Sequence, residues 1–289
     1  MRYILLISLV LAGCGGGPGD ASGGGGGTVV LQNKGSDTMV NLMQKFSEEY
    51  TKVKPSVVLA VTGGGSGTGI KSLIDGTADI ANSSRKMKEQ EIAAAKTNGR
   101  DPVETVVAFD GLAIYVNAEN PVTTLSFEDL KCIYAADGAC KAWKDVGVTL
   151  DCGDGTDNII KVGRQNNSGT YEFFHEEIIG LDGKFTNTMD QSGTQQVADV
   201  VSTSKCAIGY GGMGYQTTGK ARFVCLSKDK GGECAEPSIE TVKAGKYPFS
   251  RPLQVYTNGA PTGEIAAFLD WVKSPAGQKI VVDSGFVPL

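Results

Sequence analysis

Val57-Val58-Leu59-Ala60-Val61-Thr62-Gly63-Gly64-Gly65-Ser66-Gly67-Thr68-Gly69 is the stretch that decides the fold. A β-branched run passes into a turn of small residues, and a helix-like segment follows over 68–74. Strand, small-residue turn and helix start is how a chain aims free backbone N–H groups at an anion. The same tripeptide closes a second unit of this kind. Residues 159–162 form a β-branched run, Arg164-Gln165-Asn166-Asn167-Ser168-Gly169-Thr170 follows, and a helix is predicted over 170–179. Two such units suggest one anion held between two lobes.

Upstream of the first unit, a strand at 29–32 leads into Gly35-Ser36-Asp37-Thr38. Met39, Val40, Leu42, Met43, Phe46 and Tyr50 then recur at helical spacing, with Ser36 or Asp37 as the expected N-cap. Downstream, a short strand at 78–81 leads into Asn82-Ser83-Ser84-Arg85 and a surface helix over 88–96. The order β-α-β-α-β-α predicts an α/β fold with a mostly parallel sheet. Ligands on such sheets sit at the carboxyl ends of strands. Three consecutive strand ends therefore bring Ser36, Asp37 and Thr38, then Ser66 and Gly67, then Ser84 and Arg85 to one place.

Beyond these lie an apolar run at 106–116 broken by Asp110-Gly111, a helix at 126–134 and a loop around Trp143. Strands follow at 207–210, 223–226 and 252–256, with helices at 263–272 and 277–282.

With 289 residues and a formal charge of −5, the chain has room for one or two domains and lacks the basic excess of a nucleic-acid binder. Met1-Arg2 and the apolar residues 3–12 read as a signal peptide, too short to span a bilayer. Leu11-Ala12-Gly13-Cys14 resembles a bacterial lipobox, so residues 1–13 are expected to be removed and Cys14 lipidated. Residues 14–27, the lipidated cysteine and a glycine-rich run, read as a tether of about 20 Å r.m.s. reach.

Six further cysteines, Cys132, Cys140, Cys152, Cys206, Cys225 and Cys234, suit disulfides in an exported chain and allow about 15 pairings. Cys225 with Cys234 is the first expectation and Cys132 with Cys140 the second. No metal site is expected, because no C-x-x-C occurs and His175 is the only histidine.

Other glycine motifs fail on context. A P-loop needs Gly-Lys before its hydroxyl residue, but Ile70 separates Gly69 from Lys71. Gly209, Gly211 and Gly214 match G-x-G-x-x-G without the helix such a site requires. A serine hydrolase elbow would need glycine where Thr68 stands, and His175 beside two phenylalanines makes a poor base. Arg164, four residues before Ser168, is instead expected to give an oxyanion a bidentate contact, with Ser168 and the Gly169 and Thr170 amides meeting its other oxygens. Arg85 follows the same logic as an added cation. Asp37 is either a helix cap or an acceptor for a proton still carried by phosphate, which sulfate lacks.

These motifs, with Ala207-Ile208-Gly209-Tyr210 and Tyr247-Pro248-Phe249-Ser250-Arg251-Pro252-Leu253, run in order over about residues 29–289. In this the chain resembles the periplasmic phosphate-binding proteins of bacterial phosphate ABC transporters, in their lipoprotein form. The resemblance implies a two-lobe type II periplasmic binding protein fold with a two-strand hinge. Lobe 1 would hold residues 28–112 plus 254–289, and lobe 2 residues 113–253. It implies a monomeric, non-enzymatic receptor, lipid-anchored outside a bacterial membrane, that delivers inorganic phosphate to a membrane-embedded permease and needs no cofactor.

By position, Asp37, Thr38, Ser66, Arg164, Ser168, Gly169 and Thr170 would contact phosphate, with Ser36, Gly67, Ser84 and Arg85 beside them. Ser84 stands where some relatives place the aspartate that accepts the phosphate proton, and Asn166 where some place an acid paired with the arginine. The acceptor role therefore passes to Asp37. Other readings are a receptor for sulfate, molybdate or phosphonate, a surface adhesin or sensor on the same fold, and a phosphate-ester hydrolase.

Overall fold

The computed structural model describes residues 27–215 and 219–289. The expected signal peptide, lipobox and nearly all of the tether lie outside the described residues. In chain order the elements are β1 (Val29–Gly35), α1 (Val40–Val53), β2 (Val57–Thr62), α2 (Ser66–Ile74), β3 (Ile80–Ser83), α3 (Glu89–Thr97), β4 (Pro102–Asn117), β5 (Thr124–Ser126), α4 (Phe127–Tyr134) and β6 (Ile160–Arg164). Then come α5 (Gly169–Phe174), β7 (Met189–Gln191), α6 (Thr194–Thr203), β8 (Ala207–Gly212), β9 (Ala221–Phe223), β10 (Cys225–Ser227), α7 (Ile239–Lys243), β11 (Ser250–Asn258), α8 (Gly263–Lys273) and α9 (Pro275–Asp283).

One mixed sheet runs β2-β1-β3-β11-β4-β8-β6-β7. At one end β2, β1 and β3 are parallel, and at the other β8, β6 and β7 are parallel. The antiparallel pair β4 and β11 joins the two ends. β4 pairs with β11 as far as Gly111, and from Leu112 it pairs with β8. Asp110-Gly111 therefore does not break the apolar run: β4 is one strand of 16 residues, because the buried Asp110 carboxylate has Arg251 as a partner.

Two cores flank this crossing. One gathers Leu31, Leu42, Phe46, Leu59, Ile80, Leu253, Phe268 and Phe286, so it needs both ends of the chain. The other gathers Leu112, Ile133, Tyr134, Trp143, Val162, Phe174, Val201, Tyr210 and Phe249. The halves differ in cross-linking as well. Cys132–Cys140, Cys152–Cys206 and Cys225–Cys234 are bridged, all three in the second half. Both local pairings expected from sequence are present.

Several boundaries differ from expectation. α1 starts after Met39 with no side-chain cap, so neither Ser36 nor Asp37 caps it. The third strand falls two residues later than read, at Ile80–Ser83. The helix after Gly169 ends at Phe174 and passes into a π-turn, His175–Ile179. The run at 223–226 is divided: β9 pairs with β4 and β10 with β5. The glycines of 209–214 serve packing. A Cβ on Gly209 would lie 2.5 Å from Val197, and one on Gly211 2.4 Å from Thr194, so their absence lets α6 press on β8.

Among the described residues no helix is long and apolar enough to cross a membrane, and no cluster of three metal-ligating side chains occurs.

Candidate functional site

The carboxyl ends of β1, β2 and β3 converge as their order predicts. Ser36 Oγ donates to Ser84 Oγ at 2.9 Å, and Ser66 Oγ accepts the Ser84 N–H at 3.1 Å. All three serines are buried. Buried hydroxyls in such number are costly unless each finds a partner, and here they partner one another.

The second Ser-Gly-Thr closes on this group from the opposite half. Ser168 caps α5, its Oγ accepting the N–H of Thr170 and Tyr171. Thr170 Oγ1 lies 2.8 Å from Thr38 Oγ1, a hydrogen bond between the two halves. Gly169 fits because it has no side chain: a Cβ there would stand 2.3 Å from Ser66 Oγ and 2.7 Å from Ser84 Oγ. The glycine turn makes a second bridge. Gly67 N–H donates to Asn167 O at 3.2 Å, and Asn167 Nδ2 donates to Gly64 O at 2.8 Å.

Arg164 sits fully buried at the end of β6. Nε donates to Gln191 O at 3.3 Å, Nη1 to Thr194 Oγ1 at 3.0 Å, and Nη2 to Ser192 O at 3.0 Å and Asp37 Oδ2 at 3.2 Å. A guanidinium has five N–H donors, so one on Nη1 remains for an anion. The bidentate contact expected from sequence would require Asp37 or Ser192 to be given up. Burial lowers the pKa of Arg164; Asp37 opposes that shift, and Arg251 adds to it.

Asp37 is thus tied on both oxygens, Oδ1 accepting the Gly64 N–H at 2.8 Å. It holds the glycine turn of one half against the arginine of the other. It also forms part of the wall of a cleft of about 240 Å³, with Gly63, Ser192, Thr194 and Tyr215.

Most of Arg85 is engaged in this arrangement, with one Nη2 N–H left over. Its Nη1 and Nη2 each donate to Glu91 at 2.7 Å, its Nε pairs with Glu172 of α5, and Nη1 also reaches Lys86 O. The sequence shows a cation after two serines but not the two carboxylates that claim it. Lys88 adds a contact to Glu172 at 3.1 Å. Beside this network lies a cleft of about 470 Å³, lined by Arg85, Lys88, Tyr171, Glu172, His175 and Leu181. There His175 meets Gly183 O at 2.9 Å and stacks on Tyr171. Those contacts describe a packing histidine.

Arg251 is the residue the sequence reading passed over as a site candidate. Its Nε and Nη2 lie 3.3 and 3.1 Å from Asp110 Oδ2. Its far edge reaches Thr170 Oγ1 at 2.9 Å, Gly169 O at 3.2 Å and Thr38 Oγ1 at 3.4 Å. Burial pushes the Asp110 carboxyl up and the Arg251 guanidinium down, and each is the main counterweight to the other. The available signal was one charge in each of two apolar strand runs. A buried charge needs a partner of opposite sign, and these two runs supply one each.

Two arginines, each paired with a carboxylate, therefore flank a group of six hydroxyls drawn from both halves. Such a set can surround a small tetrahedral oxyanion with donors while adding little net charge.

Comparisons agree with this chemistry. A family model described as a PBP superfamily domain matches residues 21–276. The phosphate-binding protein PstS of Pseudomonas aeruginosa is 37% identical over 271 residues, covering 90% of this chain and 83% of that protein. PstS of Staphylococcus saprophyticus is 32% identical over 286 residues, covering 98% and 86%. Among solved structures, a phosphate ABC transporter substrate-binding protein from Clostridium perfringens with bound phosphate superposes with a TM-score of 0.77 at 26% identity, covering 90% of this chain and 99% of that one. An ABC-type phosphate transport receptor from Vibrio cholerae superposes at 0.69 with 28% identity, covering 90% and 100%.

Proposed function

This chain belongs to the PBP superfamily and, within it, to the PstS phosphate-binding proteins, and from that premise we propose that it captures inorganic phosphate and delivers it to a phosphate ABC transporter permease. The observation that carries the reading is the meeting of Thr38 with Thr170, and of Gly169 with Ser66 and Ser84, between two paired arginines.

In this reading the halves are two lobes, residues 28–112 plus 254–289 and residues 113–253, hinged on β4 and β11. Phosphate replaces hydroxyl–hydroxyl contacts among Ser36, Thr38, Ser66, Ser84 and Thr170, takes the Ser168 hydroxyl proton as a further hydrogen bond, and receives the remaining Arg164 Nη1 donor. The Gly169 amide lines the same space, and the Gly67 amide joins it once its bond to Asn167 O is given up. Asp37 orients Arg164 and presents its spare lone pairs to the phosphate proton. Arg85 acts at the cleft mouth, joining α3 to α5 through Glu91 and Glu172. Closure takes these dipoles out of water, where each counts for more. No step of catalysis is assigned.

Residues 1–14 support export and anchoring through lipid on Cys14, which leaves the lobes free to meet a permease. Calorimetric titration of the protein with phosphate, sulfate and molybdate tests the reading. One phosphate per chain, bound more tightly than either other ion, is expected. Absence of phosphate binding, or tighter binding of molybdate, overturns it.

A further inference from the structure

Arg251 and Asp110 are direct partners in the register of β11 against β4. They stand one pair before the last, where β4 leaves β11 for β8. One edge of the guanidinium is fixed to Asp110, on the strand that crosses between the halves. Its other edge meets Gly169 O and Thr170 Oγ1 of α5 and Thr38 Oγ1 from the opposite half. The Phe173 ring, also on α5, packs against it with the guanidinium carbon 5.3 Å from the ring centroid.

Thr38 and Thr170 touch each other only while the halves are together. A guanidinium held on the crossing strand cannot follow both when they part. Its full set of bonds therefore belongs to the closed arrangement alone, and interactions made only in one of two states bias the equilibrium between them.

We propose that Arg251 is a positioning residue that locks the clamp: held by Asp110, it keeps the Gly169–Thr170 jaw against Thr38 and sets how fast phosphate leaves rather than how fast it enters. The proposal rests on the phosphate reading above. Lysine would keep the charge opposite Asp110 but not the planar fork that spans carboxylate, carbonyl and two hydroxyls.

The test follows radiolabelled phosphate in two experiments, capture by rapid mixing and release by chase with unlabelled phosphate. It compares the wild type, Arg251→Lys, and the double variant Arg251→Met with Asp110→Asn, which removes both charges together. Failure of the wild type to hold phosphate would count against the function itself. Given wild-type binding, both variants are expected to release phosphate roughly ten- to hundredfold faster, the worth of one or two hydrogen bonds to a charged group. Capture should change by less than about threefold. Thermal unfolding without phosphate monitors folding. Wild-type release in either folded variant, or slowed capture with release unchanged, overturns the proposal.

Discussion

Asp37 and Arg164 meet across the cleft at 3.2 Å, carboxylate to guanidinium, and the arginine is fully buried. Truncating one partner of a buried charged pair strands the other, which costs far more than the pair contributes. Arg164→Ala is therefore expected to weaken phosphate binding by about 3 kcal/mol or more, read by calorimetry. An unchanged affinity would remove Arg164 from the site.

Asp37→Asn keeps an oxygen for the Gly64 N–H but adds an N–H donor and removes the charge. Phosphate should lose affinity and sulfate should gain it. A site built on one required hydrogen bond discriminates by orders of magnitude, so the ratio of the two dissociation constants is the quantity to measure. An unaltered ratio would confine Asp37 to holding the glycine turn.

Gly169→Ala places a methyl group 2.3 Å from Ser66 Oγ. The obstructing atom belongs to the other half, so the clash arises on closure. Phosphate affinity should drop by about tenfold or more, while the unfolding temperature without phosphate moves little. A variant that binds normally would show that the jaws meet less closely than described.

Glu91 gives a pH dependence. Burial alone would raise its pKa, but the bonds from Arg85 and the Lys88 N–H outweigh burial and hold it below its ordinary value of 4.5. A carboxyl held lower in the folded chain stabilises the fold above its ordinary titration range, and that contribution fades as pH falls through the lowered value. Glu91→Gln should be less stable than the wild type near neutrality, with the difference shrinking below about pH 4.5. Denaturant titrations on both sides of that range decide the matter.

The Cys152–Cys206 bridge closes the longest loop, a separation of 54 residues. Chain-entropy arguments give such a link about 4 kcal/mol. Replacing both cysteines with serine should lower the unfolding temperature of the second half without abolishing phosphate binding. The bridges at separations of 8 and 9 should matter less.

Much of the site was legible because its parts are local. A β-branched run, a small-residue turn and a helix start are written in adjacent residues, and parallel order places three such ends together. What was illegible depended on distant partners. Asp110 read as a strand break because Arg251, which satisfies it, lies 141 residues away. Arg85 gave no sign of its ion pair because Glu172 reaches it from the other half. α6 went unread because its threonines, valines, serine and aspartate give a weak local helix signal, and its packing on glycines of β8 supplies the rest.

The first core draws on residues from Leu31 to Ala108, on Tyr215, and again from Leu253 to Phe286. A chain delivered N-terminus first thus carries an unfinished half until its last strand and two helices arrive. The second core runs from Leu112 to Phe249 and adds Val287, and its cysteines are all present by Cys234, so most of it can oxidise and consolidate while the other waits. Emergence and assembly thus run out of step: the core that begins first waits for the C-terminal strand and helices, while the second by then lacks little but Val287.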